Sequence, residues 1–219
     1  ELAAADGSPL PAFEPGAHID VHLRGGMVRQ YSLCPQREQA GRYMIAVLRE
    51  PQSRGGSSAM HALQAGERLQ IGTPRNLFPL KEDAARSLLF AGGIGITPVL
   101  AMAERLAQRG LPFALHYCSR SMSRMAFAAR VQGLGEGARL HFDDGPGAQR
   151  LDLDRHLGAH RPDEHVYVCG PAGFMDWVLA GARELGWPEE QLHREYFAPP
   201  AQPAGASDVT VTVGSTGWM

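Results

Sequence analysis

Two glycine-containing segments stand where a buried strand is expected to end. The sequence GGIG at 92–95 follows the apolar run 87–91 and precedes a helix predicted over 98–108. The sequence CGP at 169–171 follows a second apolar run at 166–169. Glycine lets the backbone approach a pyrophosphate closely, and a helix N-terminus offers free N–H groups and the positive end of a dipole. The pattern predicts a nucleotide site. Two tight turns without a ligand are the alternative, because Pro98 replaces the third glycine of a GxGxxG motif.

A second group of candidate residues lies near the start of the chain. Arg29 and Tyr31 alternate on a predicted strand, so they share one face and lie about 7 Å apart. A guanidinium pairs with phosphate and a phenol ring stacks on another ring. Further hydroxyl and N–H groups for a phosphate stand at Gly55, Gly56, Ser57 and Ser58. Together they predict a site for an aromatic ligand that carries a phosphate, with a mixed exposed strand face as the alternative.

A metal site is not expected. His18, Asp20 and His22 share one face of a predicted strand, but such faces are usually solvated, and no further ligand is evident. The three cysteines (Cys34, Cys118 and Cys169) form no closed disulfide set and no CxxC motif. That usage is typical of a reducing, cytoplasmic compartment.

Composition excludes several function classes. The 219 residues carry a formal charge of −2, which argues against nucleic-acid binding, since that requires clustered cations. The longest uncharged stretch, 87–103, is too short and too rich in glycine for a membrane span, and no signal peptide opens the sequence. We expect a soluble protein that binds neither nucleic acid nor membrane. The sequence does not indicate the oligomeric state, and we predict a monomer.

The hydrophobic pattern divides the chain near residue 82. Residues 1–82 alternate as short antiparallel strands and predict a small β-barrel, with strands at 18–23, 27–33, 43–48 and 68–71. Residues 83–198 alternate between strand and helix and predict an α/β domain with a parallel sheet. Its strands are predicted at 87–91, 113–117, 139–142 and 166–169, and its helices at 98–108, 125–132 and 173–185.

The last segment, 199–219, has the composition of a linker followed by one alternating strand at 208–213. A single strand is not stable alone. We therefore interpret it as the first strand of a further, truncated domain. Residues 1–5 resemble the end of a strand whose beginning is missing.

Seven motifs in order resemble one family. They are RQYSLC (29–34), RGGSSAMH (54–61), PRNLFPL (74–80), AGGIGITPVLAM (91–102), YCSRS (117–121), YVCGPAGFM (167–175) and HREYF (193–197). This order resembles the ferredoxin–NADP reductase superfamily, in its phthalate dioxygenase reductase and vanillate O-demethylase reductase branch. The resemblance implies an antiparallel β-barrel that carries FMN, followed by an α/β domain that binds NAD(P)H. It also implies hydride transfer from NADH to FMN and a Rieske-type oxygenase as partner.

The resemblance assigns roles to particular residues. Tyr31 would stack on the flavin and, with Cys169, stand at the reacting groups. Arg29 would pair with the FMN phosphate, and the other flavin contacts would be Ser32, Leu33, Gly55, Gly56, Ser57, Ser58, Glu195 and Phe197. The NADH contacts would be Gly93, Gly95 and Thr97 at the diphosphate, Ser119 and Arg120 at the adenosine ribose, and Cys169, Gly170 and Pro171 at the nicotinamide.

The sequence departs from the family in one respect. A plant-type 2Fe–2S cluster needs four ligands, normally thiolates, and the spacing Cys-x₄-Cys-x₂-Cys is absent. The cluster is therefore assigned to a C-terminal ferredoxin domain that this chain lacks. Two alternatives stay open: a non-catalytic nucleotide-binding module of the same fold, and an FAD-type reductase. The coenzyme is predicted to be NADH, although Arg120 and Arg124 could hold the 2′-phosphate of NADPH.

Overall fold

The computed structural model describes residues 1–34, 41–197 and 209–214, and the chain divides into two units. Unit 1 comprises Glu1–Pro79 and Phe197–Met219, and unit 2 comprises Leu80–Tyr196. The predicted boundary near residue 82 lies within a few residues of this division.

Unit 1 is built on an antiparallel sheet of six strands. These are β1 (Leu2–Ala4), β2 (Ala17–Leu23), β3 (Met27–Ser32), β4 (Arg68–Ile71), β5 (Arg75–Asn76) and β11 (Val209–Val213). Their order is β1-β11-β4-β2-β3, and β5 pairs with β2 beside β4. A short helix, α1 (Gly56–His61), packs against β2 and β3.

The β2–β3 hairpin follows directly from its sequence. Ile19 and Val21 alternate inward and are fully buried in the core of unit 1. Gly25 and Gly26 make the turn with φ of 77° and 74°, a backbone region that side-chain-bearing residues rarely adopt. The predicted hairpin is confirmed.

The opposite face of β2 is expected from the sequence to be solvated, and this expectation is wrong. His18 and Asp20 are both buried, and only His22 is partly exposed. The carboxylate of Asp20 accepts a hydrogen bond from Arg75 Nη2 on β5 at 2.6 Å. A charge is buried in this way only when a partner compensates its lost hydration. The sequence could not show that β5 pairs with β2 and brings the Arg75 side chain to Asp20.

The predicted strand at 43–48 is wrong beyond its first two residues. Tyr43 bridges Leu2 and Met44 bridges Cys34, but residues 45–48 join no sheet in the described chain. Alternating apolar residues make a strand only where a neighbouring strand offers a ladder of backbone partners.

The strand at the end of the chain also differs from expectation. Val209–Val213 is a strand, as predicted, but it does not lack a partner. It pairs antiparallel with β1, where Leu2 faces Val213, and with β4, where Val209 faces Ile71. Val211 is fully buried. The strand therefore lies in the sheet of unit 1, whereas the sequence alone predicts the first strand of a further domain. The predicted linker, at 199–207, lies outside the described residues.

Unit 2 has a parallel sheet with helices between its strands. The strands are β6 (Arg86–Gly92), β7 (Phe113–Ser119), β8 (Ala138–Phe142), β9 (Glu164–Cys169) and β10 (Leu192–Glu195), in the order β10-β9-β6-β7-β8. The helices are α2 (Ile96–Arg109), α3 (Ala128–Gln132), α4 (Leu153–Leu157) and α5 (Ala172–Glu184). The predicted parallel α/β architecture is confirmed, and β10 and α4 are additions to it.

Both faces of this sheet are covered. Leu88 and Phe90 pack in one apolar cluster with side chains of α4 and α5. Leu89 and Ala91 alternate to the other face and are fully buried, and α2 packs against β6, β7 and β9. Within the described residues, no helix is long and apolar enough to cross a bilayer.

The carboxyl ends of β6 and β9 touch through their backbones. A Cβ atom added to Gly95 would lie 2.2 Å from the carbonyl oxygen of Cys169. A Cβ atom added to Gly170 would lie 2.9 Å from the Cα of Gly92. Two glycines are thus required for the two strand ends to meet. This contact lies between the central strands at which the strand order reverses, the position at which open α/β sheets form a crevice.

We expect Gly95→Ala to destabilise the protein by about 1–3 kcal/mol, the usual cost of overpacking a filled site. Gly95 has an ordinary φ of −60°, so the effect is steric and not conformational. Gly173→Ala is the matched control, because a Cβ there meets nothing within 4 Å. Urea unfolding of the three proteins measures the difference. Equal midpoints for wild type and Gly95→Ala would contradict the contact.

Candidate functional site

Two helices begin at the carboxyl edge of the unit 2 sheet. α2 begins directly after Gly95 and α5 directly after Pro171, and neither N-cap residue makes a side-chain hydrogen bond to the helix. Their first N–H groups carry the positive ends of two helix dipoles. Because the preceding strands are neighbours, this edge can bind an anionic group such as a diphosphate.

The three residues predicted at the diphosphate differ in how accessible they are to a ligand. Gly93 is partly exposed, has a φ of 53°, and its Cα faces open space. Gly95 is buried. The hydroxyl of Thr97 is also buried and donates a hydrogen bond to the carbonyl of Ile94 at 3.0 Å. Backbone groups near Gly93 can therefore meet a ligand, whereas the Thr97 side chain stabilises the turn.

Cys169 occupies the end of β9, beside Glu195 at the end of β10. Its side chain is fully buried, and its thiol donates to the carbonyl of Glu195 at 3.5 Å. Burial raises the pKa of the Cys169 thiol, and the nearby Glu195 carboxylate raises it further. The sulfur is thus a protonated thiol and not a nucleophile. The adjoining Gly170 is partly exposed and Pro171 is exposed.

Ser119 and Arg120 stand at the end of β7, next to β6. Their carbonyl groups accept hydrogen bonds from the N–H groups of Asp143 and Asp144, both at 3.2 Å. These bonds hold the loop while the Arg120 side chain stays exposed. Arg124 follows on a short turn and is also exposed. Two cations therefore stand beyond the second strand of the sheet.

In unit 1, Arg29 and Gly56 are brought into contact. A Cβ atom added to Gly56 would lie 2.5 Å from Nε of Arg29, so the arginine side chain lies against the first residue of α1. Nη1 of Arg29 donates to the carbonyl of Val28 at 2.8 Å. That bond uses one of five guanidinium donors and fixes the direction of the group. The other donors suit a phosphate.

Tyr31 lies on the same face of β3 as Arg29. Its ring is partly buried and packs against the apolar core of unit 1. Burial raises the pKa of Tyr31 to about 12, and the charge of Arg29 offsets a part of this shift. The phenol is therefore neutral at every ordinary pH, and its ring is held firmly enough to serve as a stacking surface.

The two residues that follow Tyr31, Ser32 and Leu33, were also predicted as flavin contacts. Ser32 alternates to the other face and is buried, and its hydroxyl has no hydrogen-bond partner within the described chain. Leu33 is fully buried, and its N–H donates to the carbonyl of Ala17 at 2.8 Å. The Leu33 side chain is thus part of the core, while the Ser32 hydroxyl is buried without a protein partner among the described residues.

The loop before α1 contains a residue that the sequence analysis missed. Ser53 Oγ accepts hydrogen bonds from the N–H groups of Gly55 at 3.1 Å and Ser58 at 3.5 Å. Ser57 Oγ accepts instead from the N–H of Glu50 at 3.2 Å. A serine two residues before a Gly-Gly pair is a typical turn-forming position, and this signal was available in the sequence.

The last two predicted flavin contacts lie at and just after the end of β10. Glu195 ends β10 in unit 2, and Phe197 belongs to unit 1 with 44% of its surface exposed. Its ring is therefore accessible to a ligand or partner.

Comparison with known proteins extends these observations. No protein-family model matches the chain. The chain is 52% identical to the vanillate O-demethylase oxidoreductase of Pseudomonas sp. (strain HR199 / DSM 7063) and 54% identical to that of Pseudomonas putida. Each match spans 100% of this chain and 70% of the relative.

A solved structure gives the same result. The chain is similar to a phthalate dioxygenase reductase, described as a modular structure for electron transfer from pyridine nucleotides to a 2Fe–2S centre, with a TM-score of 0.81 and 36% identity. The match covers 91% of this chain and 63% of that one. The chain therefore belongs to the vanillate O-demethylase and phthalate dioxygenase reductase family, has the ferredoxin reductase-like fold and is an oxidoreductase.

Proposed function

We propose that the chain transfers a hydride from NADH to FMN and, through the flavin, supplies electrons to a Rieske-type oxygenase component. The contact of Arg29 with Gly56 beside the partly buried Tyr31 ring is the observation that carries this proposal. A protein that only bound a dinucleotide would need no second site for a ring and a phosphate. The names of its relatives, which include oxygenase and demethylase reductases, support an oxygenase as the electron acceptor.

The residues of unit 1 fit a flavin mononucleotide. Arg29, with the N–H groups at the start of α1, would bind the phosphate, and Tyr31 would stack on the ring. FAD would in addition need a surface for adenine, and no such extension of the barrel is recognisable in the described residues. When bound, FMN accepts two electrons with a hydride and can release them one at a time.

The residues of unit 2 fit the substrate NADH. Backbone N–H groups near Gly93 and at the start of α5 would bind its diphosphate. The partly exposed Gly170 would lie beside the nicotinamide, and the buried Cys169 thiol would support this strand end from inside the sheet. Direct hydride transfer requires no side-chain acid or base, so the work of the chain is to orient the reactants and to exclude water.

Replacing Tyr31 tests the stacking surface. Tyr31→Ala should weaken FMN binding about tenfold or more, because stacking of a ring on an aromatic side chain contributes roughly 1–3 kcal/mol. Tyr31→Phe keeps the ring, and its FMN affinity should stay within about threefold of wild type. Quenching of FMN fluorescence measures both. Equal affinities for wild type and Tyr31→Ala would refute the site.

Replacing Arg29 tests the phosphate contact. Arg29→Gln should weaken FMN binding by about tenfold to a hundredfold, since charge-assisted hydrogen bonds contribute about 1.5–3 kcal/mol. Riboflavin lacks the phosphate, and its affinity should not change. Arg24→Gln, at an exposed position of the β2–β3 turn, is the control. A parallel titration with FAD separates the FMN and FAD proposals, and tighter binding of FAD would favour the latter.

The activity itself is tested with ferricyanide as electron acceptor. NADH oxidation should require added FMN, and NADH should exceed NADPH at least tenfold in kcat/KM, which is about 1.4 kcal/mol of transition-state binding. Arginine stacks on planar groups as readily as it pairs with phosphate, so Arg120 and Arg124 are compatible with this preference. Equal or faster turnover of NADPH would show that they bind the 2′-phosphate. Absence of turnover with both coenzymes would favour the non-catalytic module.

A further inference from the structure

Three histidines from three elements of unit 2 meet on one face of its sheet. His116 lies on β7, His141 on the neighbouring β8, and His156 on α4. One ring nitrogen of each lies within 4.8 Å of the other two. Nδ1 of His116 and Nε2 of His141 are 3.0 Å apart, and the ring centroids of His116 and His156 are 4.4 Å apart.

The cluster is packed into unit 2 and is only partly accessible to water. His116 and His141 are buried, and His156 is partly exposed. The ring of Phe90 stacks on His116 with centroids 5.2 Å apart. Neutral imidazole is the form of histidine that binds metal ions.

A pocket of about 390 Å³ reaches the cluster, and both His116 and His156 line it. Arg86, Phe113 and Glu164 also line it, and these residues begin β6, β7 and β9. The pocket thus opens at the amino edge of the parallel sheet. Nucleotides bind such sheets at the carboxyl edge. The histidine cluster is therefore separate from the proposed NADH site.

We propose that His116, His141 and His156 bind one Zn²⁺ ion, with a fourth coordination position open to the pocket. Zn²⁺ binds imidazole nitrogen at about 2.0–2.1 Å in tetrahedral sites, which places the nitrogens of two ligands about 3.4 Å apart. The 3.0 Å separation of His116 and His141 needs only a small adjustment, and α4 brings His156 within reach. Three neutral imidazoles suit Zn²⁺ better than Mg²⁺ or Ca²⁺, which prefer oxygen ligands.

The charges of the pocket indicate the fourth ligand. The pocket is lined by more arginines than glutamates. The arginines are Arg86, Arg139, Arg155 and Arg161, and the glutamates are Glu136 and Glu164. This excess of positive charge opposes a bare cation but favours an anion bound to it. We expect hydroxide or a small carboxylate or phosphate to complete the coordination. Bound in this way, the ion joins β7, β8 and α4 and stabilises the folded state by mass action.

The proposal is tested with Co²⁺ as a spectroscopic substitute for Zn²⁺, on chelator-treated full chain. One equivalent of Co²⁺ should produce the visible absorption of tetrahedral nitrogen coordination without thiolate charge-transfer bands, and Zn²⁺ should displace it. Zn²⁺ should also raise the melting temperature by several degrees. Thiolate bands would place the ion on the cysteines and overturn the proposal.

His156→Ala is the decisive variant, because His156 is the most exposed of the three and its loss should leave the fold intact. Its Zn²⁺ affinity should fall at least tenfold, with an unchanged circular dichroism spectrum. His160→Ala, a histidine of the same pocket outside the cluster, should stay within about twofold of wild type. Equal affinity for wild type and His156→Ala, or no stoichiometric binding to wild type, would show that the histidines are only a packed cluster. Binding of inorganic phosphate by the metal-free protein without any Co²⁺ signal would assign the pocket to an anion instead.

Discussion

The backbone contact between the ends of β6 and β9 is the constraint on which the nucleotide edge of unit 2 depends. Gly95 lies against the carbonyl of Cys169, and Gly170 lies against Gly92. A side chain at either glycine would separate the two strand ends. Their contact brings the N-termini of two helices to one edge and seals the thiol of Cys169 in the sheet. The strand order of the unit 2 sheet reverses at the same place, so both glycine segments stand where sheets of this kind form a crevice for a ligand.

In unit 1, contacts between side chains and the backbone position the candidate site. Arg29 lies across Gly56 at the start of α1, while Tyr31, two residues further along the same strand, is anchored in the apolar core. Both residues project from a strand whose partner, β2, is fixed by fully buried residues such as Ile19 and Val21. Groups held on a packed strand keep their positions better than groups on a loop. The loop before α1 supplies mainly backbone atoms, and Ser53 orders it.

The local sequence pattern was sufficient to predict those elements that are stabilised by residues close to them in sequence. The β2–β3 hairpin, β6 and α2 were predicted because alternation, apolar runs and glycine or proline at the ends are local signals. Long-range pairing has no such signal. For this reason three features could not be predicted. They are the short bridge at Tyr43, the burial of Asp20 beside Arg75, and the pairing of Val209–Val213 with β1 and β4.

The candidate sites show the same difference between what local sequence signals predict and what long-range packing decides. Residue types at strand ends indicated Gly93 and Cys169, because ligands bind where parallel strands end. Alternation along a strand indicated Arg29, which shares a face with Tyr31. Which atoms face a ligand depends on packing, so the buried hydroxyl of Thr97 could not be foreseen. The histidine cluster was missed altogether. Its members are spread over 40 residues on two strands and a helix, and only the sheet register and α4 bring them together.

The pairing of β11 with β4 has a kinetic consequence. Gln70 Nε2 donates to Thr210 Oγ1 at 2.6 Å, and 140 residues of sequence separate the two. All strands of unit 2 lie within that interval, so its sheet can form from shorter loops. Closing a long loop costs entropy before its contacts compensate, and topologies with distant partners fold slowly. During refolding, the sheet of unit 1 should therefore be completed last, and until then β1 and β4 present open edges to other chains.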